Sequence, residues 1–349
     1  MTRGTAGGST GSPDRAITPA AFDRDQVITD FGRVVYGVTP ALQVSVDSTD
    51  LAQQVMYGTG AENRIRLTVT GPRGAYSFEL ALCLPNTDRS PVFLGLNFDG
   101  NDAALQQWPI DLLLRRGYGV ATAHASAIEP DRLGGAADGI RTVLPEGLDD
   151  WGTLGVWAWA LSLIRRQLPS FAHVQADKII AIGHSRMGKA ALWAAAQDTG
   201  FAAVVSNEAG CSGDALHRHL STGSGHRPST GSRHRVKEDI AAITGKFPYW
   251  FTPSYAGYAG RDAELPVDQD QLLASIAPRP VCVGSASEDD WADPLGQFQA
   301  VLAARELNEG SGPVGFHLRP GDHALLAEDW LHYLAFLDRH LSPGSHSSS

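Results

Sequence analysis

A serine set between two glycines is the first feature of the sequence that could do chemistry. Ser185 follows an unbroken apolar run, residues 179–182, and lies between Gly183 and Gly188. A helix-like run, residues 189–196, comes next. A serine at such a strand-to-helix turn is typical of the nucleophile elbow of an α/β-hydrolase, in which the glycines permit a sharp turn that exposes the hydroxyl. The second glycine stands one position later than usual, and the alternative is an ordinary glycine-rich turn with a chance serine.

A serine nucleophile needs a base, and a carboxylate that holds this base in the right tautomer. In α/β-hydrolases these groups follow one another along the chain as serine, acid and histidine. Here Ser185 is followed by two candidate acids, Glu208 and the run 288–290 that contains Asp289, and then by His323. Each follows a predicted strand, so all of them should meet at one edge of the sheet. Singly, Glu208 or His323 could be a solvated surface group, but their order predicts a serine hydrolase.

The elements that must position these residues alternate between strands and helices after residue 91, which indicates a mostly parallel sheet. Helices are expected at residues 105–116, 153–167, 295–307 and 328–339. Buried strands are expected at 91–97, 118–123, 179–182, 201–205, 280–285 and 314–318, and a paired set at 64–69 and 77–84. We therefore predict the α/β class, with a three-layer α/β-hydrolase domain over residues 21–341 and disordered segments at 1–20 and 342–349.

Composition narrows the classes of partner. The 349 residues carry a formal net charge of -10, which argues against nucleic acid, because phosphates attract a basic surface. The longest largely apolar run, residues 156–164, is too short to cross a bilayer, so we expect no membrane partner. Three scattered cysteines predict neither a disulfide framework nor a cysteine-rich zinc site. The first twenty residues show no apolar signal segment, and the location of the protein is left open.

A long segment rich in glycine, serine, histidine and arginine, residues 211–235, predicts a surface loop. Four histidines in it invite a metal interpretation, with a cysteine and an aspartate nearby. Their spacing matches no familiar metal signature, and we predict that the protein needs no metal and no cofactor. The residues concerned are His217, His219, His226 and His234, with Cys211 and Asp214.

Taken together, the motifs resemble those of the glucuronoyl esterases, carbohydrate esterase family fifteen, and those of its bacterial members more than the fungal ones. The elbow of that family reads S-R-x-G-K, and residues 185–189 match it, which accounts for the displaced glycine. The resemblance extends over about residues 36–337. Further matches lie at 95–101, 116–122, 151–159, 247–251, 285–294 and 321–323, with Trp330 following.

This resemblance implies a hydrolase without a cofactor that cleaves esters of (4-O-methyl-)glucuronic acid, as in the lignin–carbohydrate linkages of glucuronoxylan, through a glucuronoyl-enzyme intermediate. It implies Ser185 as the nucleophile, His323 as the base, and Arg186 as a cation that helps backbone amides to stabilise the oxyanion. Glu208 matches the acid of fungal members and Asp289 that of many bacterial ones. We expect Glu208 to be the principal partner of the histidine, with Asp289 in support.

The same resemblance implies that Lys189, Glu238 and Trp291 contact the hydroxyls and the ring of the sugar. The alternative is a surface lysine, a solvated loop carboxylate and a core aromatic residue. Thr244 and Tyr249 stand where the family often has asparagine and histidine, so the fine specificity is left open.

Two other functions are weighed against this one. An acetyl xylan esterase or another carboxylesterase could use the same fold, and a catalytically silent carbohydrate-binding protein is the alternative from another class. The complete set of catalytic groups argues against the silent protein. Family members are usually exported, although this sequence shows no signal segment. The alcohol half of the natural ester and the oligomeric state are left open, with a monomer expected.

Overall fold

The computed structural model describes residues 22–218 and 238–341, apart from residues 57 and 59. The two predicted disordered ends, most of the loop 211–235, and three of its histidines (His219, His226 and His234) lie outside the described residues. In the described part of the chain, no helix combines the length and the apolar character that a membrane span requires.

Nine strands in this part of the chain form one mixed sheet, in the order β1-β2-β3-β5-β4-β6-β7-β8-β9. The first three strands form an antiparallel meander, and β3 also pairs antiparallel with β5. From β5 to β9 all neighbouring strands are parallel, as predicted. The strands are β1 Ser45–Met56, β2 Gly60–Gly71, β3 Gly74–Pro85, β4 Ser90–Asn97, β5 Gly119–His124, β6 Val174–His184, β7 Ala203–Asn207, β8 Val281–Ala286 and β9 Val314–Arg319.

Helices cover both faces of this sheet and complete the three layers. Helices α5 and α6 pack on one face, and α3 and α11 pack on the other. The helices are α1 Arg24–Phe31, α2 Asn101–Gln107, α3 Ile110–Arg115, α4 Ala125–Ile128, α5 Thr153–Gln167, α6 Arg186–Gln197, α7 Ile240–Lys246, α8 Pro253–Ala256, α9 Gln269–Ala274, α10 Pro294–Leu307 and α11 Ala327–Leu341.

The apolar run before the elbow is unbroken because both faces of β6 are buried. Side chains alternate across a strand, so Ile179 and Ala181 pack against the α5–α6 layer. Ile180 and Ile182 point the other way, into the layer formed by α3 and α11. A strand in the middle of a parallel sheet therefore has no polar face, and its hydrophobic pattern is continuous.

The helix predicted at residues 105–116 is wrong, because two short helices stand in its place. Trp108 ends α2 in an extended conformation, with φ −81° and ψ 146°, and Pro109 precedes α3. Proline has no N–H to donate, and its ring disfavours a helical conformation at the preceding residue. The interruption leaves the Trp108 ring at the junction of the two helices, 5.5 Å from the ring of Trp330.

Candidate active site

Ser185 lies at a tight turn between β6 and α6. Its backbone has φ 56° and ψ −128°, a combination with positive φ that is strained for a residue other than glycine. A Cβ atom at Gly183 would collide with the backbone of Met187, so only glycine permits the turn. The displaced second glycine, Gly188, allows the first turn of α6 to approach Ala209, since an added Cβ would lie 3.0 Å from the Ala209 side chain.

His323 meets both candidate acids through the same ring nitrogen. Its Nδ1 atom lies 2.6 Å from Oδ2 of Asp289 and 3.1 Å from Oε2 of Glu208. Ionised carboxylates only accept hydrogen bonds, so Nδ1 carries the proton and Nε2 of the neutral ring is free to accept one. Ser185 and His323 line the same cavity, which has a volume of about 200 Å³.

Asp289 and Glu208 differ in the other hydrogen bonds that their carboxylates accept. Asp289 accepts a 3.2 Å hydrogen bond from the amide of Ala292 in its own turn. Glu208 accepts from Arg319 through Oε1 and from the amide of Ala324 through Oε2, both at 2.8 Å. We expected Glu208 to be the principal partner of His323, but the distances favour Asp289, which makes the shorter contact to the ring. Glu208 is also bonded to Arg319.

Arg319 is a residue of the site that the sequence did not reveal. It is buried at the end of β9, and its guanidinium donates to Glu208 and to the carbonyl oxygens of Asp322 and Ala324. These two carbonyls flank His323 in the chain. Arg319 and Glu208 together fix the turn on which the histidine stands, but an arginine at the end of a strand belongs to no motif that could have indicated this.

The surroundings of His323 and His184 shift the pKa values of these two rings in opposite directions. Burial disfavours the charged ring of His323, but hydrogen bonds and charges from Asp289 and Glu208 outweigh it and raise its pKa to about 9. Burial and the neighbouring His323 lower the pKa of His184 to about 3. Burial also raises the pKa of Glu208, against the opposing effects of His323 and Arg319. Of these two rings, His323 is therefore the one that is charged at neutral pH.

Arg186, the first residue of α6, lies among aromatic rings. Its guanidinium carbon is 5.0 Å from the ring centre of Phe98, 5.1 Å from that of Trp250 and 5.8 Å from that of Phe247. Such contacts favour a cation and restrict its movement. The buried Nε of Arg186 has no hydrogen-bond partner among the described residues.

Asp131 positions Arg186, and no motif in the sequence indicates this role. Its Oδ2 atom is 3.4 Å from Nη1 of Arg186. Its Oδ1 atom accepts hydrogen bonds from the Tyr249 hydroxyl at 2.9 Å and from the Trp250 indole at 2.7 Å. Tyr249, at one of the positions where the sequence departs from the family pattern, therefore orients the counter-ion of Arg186. Asp131 stands in an irregular segment without a motif.

Lys189 and Glu238 form a buried pair in the wall of the same cavity. The Lys189 ammonium donates to the carbonyl oxygens of Ala209 and Cys211, and its Nζ atom is 3.3 Å from Oε2 of Glu238. Only 3% of Lys189 and 5% of Glu238 is exposed, so the alternatives of a surface lysine and a solvated carboxylate are wrong. All three N–H groups of Lys189 have partners, and its direct effect is to orient Glu238.

Trp291 lies half-buried in the wall of this cavity, which argues against a purely core role. Lys246, a residue that no motif indicated, also lines the cavity, and its ammonium is 5.8 Å from the centre of the Trp291 ring. The Thr244 hydroxyl donates to the Ile240 carbonyl at 2.6 Å, within its own helix. This side chain is buried and its donor is already engaged.

The described part of the histidine-rich loop is bonded to core groups. His217 is fully buried, with Nε2 3.2 Å from the Tyr255 hydroxyl and 3.1 Å from the Gln269 amide nitrogen. The Asp214 carboxylate accepts from Ser206 at 2.7 Å. These side chains were candidates for a metal site, and their contacts give each of them a role in packing the core.

The sheet order, the serine elbow and the histidine after the last strand define an α/β-hydrolase. Comparison with known proteins narrows this class. A family model described as "Glucuronyl esterase, fungi" matches residues 67–312. The chain belongs to the glucuronyl esterase family.

Individual relatives agree with this assignment. The chain is 32% identical to Carbohydrate esterase MZ0003 of an unknown prokaryotic organism, over 92% of this chain and 85% of that protein. It is 30% identical to 4-O-methyl-glucuronoyl methylesterase 1 of Wolfiporia cocos, over 48% of this chain and 40% of that protein. A solved structure of a promiscuous CE15 esterase from the marine bacterial metagenome superposes with a TM-score of 0.79 at 30% identity, covering 91% of each chain.

Proposed function

We propose that this protein hydrolyses esters of (4-O-methyl-)glucuronic acid, of the kind that join glucuronoxylan to lignin alcohols. The observation that carries the proposal is one cavity of about 200 Å³ that is lined by both kinds of group the reaction needs. Ser185, His323 and Arg186 supply a nucleophile, a base and a cation, while Glu238 and Trp291 supply a buried acceptor and an aromatic face for a sugar. The name of the Wolfiporia cocos relative points to the same substrate class.

The reaction follows from the tautomer of His323. Its Nε2 atom accepts the proton of the Ser185 hydroxyl as the serine oxygen attacks the uronate carbonyl carbon. Arg186 stabilises the negative charge that develops on the carbonyl oxygen. The C–O bond to the alcohol then breaks, and the alcohol leaves with the proton from Nε2. Water, deprotonated by the same nitrogen, attacks the acyl carbon. The bond from this carbon to the serine oxygen then breaks, the serine oxygen takes the proton from Nε2, and glucuronate leaves.

The sugar half of the ester would be held by the groups around Glu238. The Glu238 carboxylate would accept a hydrogen bond from a sugar hydroxyl, and the hydrogen bond from Lys189 orients this carboxylate. The indole face of Trp291 provides a flat apolar surface for the C–H groups of the ring. Thr244 adds no free donor there, because its hydroxyl is bonded to Ile240.

A general carboxylesterase on the same scaffold is the competing function, and a substrate comparison separates the two. We expect kcat/KM for the methyl ester of glucuronate to exceed that for methyl galacturonate by about tenfold or more, because the epimeric hydroxyl leaves buried polar groups unpaired. We expect Glu238→Gln to leave kcat/KM for an acetyl ester, such as 4-nitrophenyl acetate, unchanged. Equal rates for the two uronates, with a preference for the acetyl ester, would contradict the proposal.

A further inference from the structure

Asp329 is a fully buried carboxylate that lies outside the cavity of the active site. It belongs to the first turn of α11. Its Oδ2 atom accepts hydrogen bonds from Nε of Arg319 at 3.0 Å and from the amide of Leu326 at 2.8 Å. Its Oδ1 atom lies 3.2 Å from Nε2 of His317, which donates because an ionised carboxylate only accepts. A charge in the interior is costly unless it is paired, so Asp329 depends on the cation beside it.

The partners of Asp329 keep it ionised. Burial raises its pKa, but hydrogen bonds from His317, from a backbone amide and from Arg319 outweigh this effect, and the pKa of Asp329 lies below its ordinary value. Two other titratable rings stand on this side of the network. His332 stacks on His317 with ring centres 3.8 Å apart, and Tyr333 meets His317 edge-on at 6.3 Å. Asp329 therefore contributes a full negative charge at neutral pH.

Arg319 connects this charge to the catalytic histidine. The guanidinium donates through Nε to Asp329 and through Nη2 to Oε1 of Glu208 at 2.8 Å. The other carboxylate oxygen of Glu208, Oε2, lies 3.1 Å from Nδ1 of His323. Only 3% of Arg319 and 1% of Glu208 is exposed, so water screens these contacts weakly. A continuous series of ionic contacts thus leads from α11 to the ring of His323.

The shape of the guanidinium makes the two ends of this series depend on each other. The group is planar and its N–H donors have fixed directions, so the contact of Nε with Asp329 also sets where Nη2 points. The charges are coupled as well, because one buried cation stands between two buried anions. If Asp329 were neutral, Glu208 alone would balance Arg319, and His323 would experience less of the negative charge of Glu208.

We propose that Asp329 is a positioning residue of the reaction, which acts through Arg319 to hold Glu208 against the Nδ1 hydrogen of His323. The inference rests on the proposed function for the role of His323 as the base. It does not depend on which ester is cleaved, because the same base serves every ester. A purely structural Asp329 would stabilise the fold but would leave the titration of His323 unchanged.

The test uses Asp329→Asn, which removes the charge and keeps the shape of the side chain. The matched control is Glu328→Gln, which removes the same charge from an exposed neighbour in the same turn of α11. Each change is made in the wild-type protein and in Glu208→Gln. The quantity to measure is kcat/KM as a function of pH, for a methyl ester of glucuronate and for 4-nitrophenyl acetate. Thermal unfolding sets a temperature at which all the variants are folded.

We expect Asp329→Asn to lower kcat/KM by about tenfold on both esters, the scale of coupling between groups in one network. Its pH midpoint should lie below the wild-type value of about 9, since an unbalanced Arg319 disfavours the charged ring of His323. In Glu208→Gln the further loss should shrink to about twofold, because the contact that Asp329 positions is already weakened. Glu328→Gln should change neither quantity.

His317→Leu gives a second, milder test, because it removes one donor to Asp329 and leaves Arg319 and both carboxylates in place. We expect a loss of about threefold, the scale of one neutral hydrogen bond, and a smaller loss in Glu208→Gln. If Asp329→Asn does not fold, this comparison decides the question, and equal losses in the two backgrounds would overturn the inference.

For Asp329→Asn, a loss of equal size in both backgrounds, or a midpoint that stays at the wild-type value, would also overturn the inference. Either result would make Asp329 a support of the fold alone. A wild-type protein that cleaves neither ester would instead contradict the proposed function. In that case NMR titration of the imidazole nitrogens of His323, in the wild type and in Asp329→Asn, still tests the inference without turnover. A lower pKa in the variant is expected, and an unchanged one would overturn it.

Discussion

Asp289 Oδ2 lies 2.6 Å from Nδ1 of His323, half an ångström closer than Oε2 of Glu208 at 3.1 Å. One N–H group therefore has two anionic acceptors. Glu208 is held at the same time by Arg319 and by the amide of Ala324. The geometry gives Asp289 the larger part in orienting the imidazole and Glu208 the larger part in fixing its turn.

Asp289→Asn should lower kcat/KM by about 10³-fold or more, since a neutral partner no longer fixes the tautomer or stabilises the imidazolium. Glu208→Gln should cost less, and the double variant should fall below the product of the two residual activities, because each carboxylate can partly replace the other as the acceptor of the Nδ1 hydrogen. Thermal unfolding of each variant is the control. A nearly silent Asp289→Asn beside an inactive Glu208→Gln would restore the order expected from the sequence.

The activity should rise with pH. The base must be neutral to accept the serine proton, and the pKa of His323 in the free enzyme is about 9. Below that pH the ring is mostly charged, so kcat/KM should increase with pH and level off above about 9. Removing an anion lowers the pKa of the ring, so Asp289→Asn should move the midpoint to lower pH. A midpoint that stays in place or moves upward would contradict this. Ser185→Ala serves as the blank for spontaneous hydrolysis.

Arg186→Ala should lower kcat more than it raises KM, by about 10²-fold, as for the loss of one oxyanion donor. Asp131→Asn should have a smaller effect of the same kind, since Asp131 only positions the guanidinium. Tyr249→Phe, which removes one of the two donors to Asp131 and no charge, should have the smallest effect. Steady-state kinetics on one glucuronate ester measure all three variants. An effect of Arg186→Ala on KM alone would assign this residue to binding of the ground state.

Trp291→Ala and Lys189→Met should differ in kind. Trp291 lines the cavity, so its loss should reduce kcat/KM for glucuronate esters far more than for an acetyl ester. Lys189→Met breaks a buried ion pair and leaves Glu238 without its partner, which should lower the free energy of unfolding by roughly 3 kcal/mol or more. Urea unfolding and the two substrates distinguish the variants. Equal losses on both esters for Trp291→Ala would make it a support of the fold.

The fold could be predicted from the sequence where the burial of an element determines its hydrophobic pattern. Strands covered on both faces are continuously apolar, and α5 has the predicted bounds, Thr153–Gln167. The prediction of one continuous helix at residues 105–116 was wrong because a single proline, Pro109, interrupts it. The edge strand β1, Ser45–Met56, was not predicted, because much of it is exposed and carries no clear alternation.

The site was predictable to the extent that chain order and a local motif determine it. Seven of the eight predicted side chains line one cavity, and the eighth, Asp289, contacts His323. The sequence could not show which acid is the principal partner of His323, because this depends on the hydrogen bond from Arg319, at the end of β9, to Glu208. Asp131 and Arg319 act through contacts between distant segments, and such contacts leave no spacing in the sequence.

The most direct test of the catalytic assignment is the rate at which Ser185→Ala releases methanol from the methyl ester of 4-O-methyl-glucuronate. If Ser185 forms the glucuronoyl-enzyme, its removal should lower kcat on the order of 10⁴-fold or more while the unfolding temperature stays at the wild-type value. A variant that keeps its fold and turns over the ester at a rate near that of the wild type would contradict the assignment.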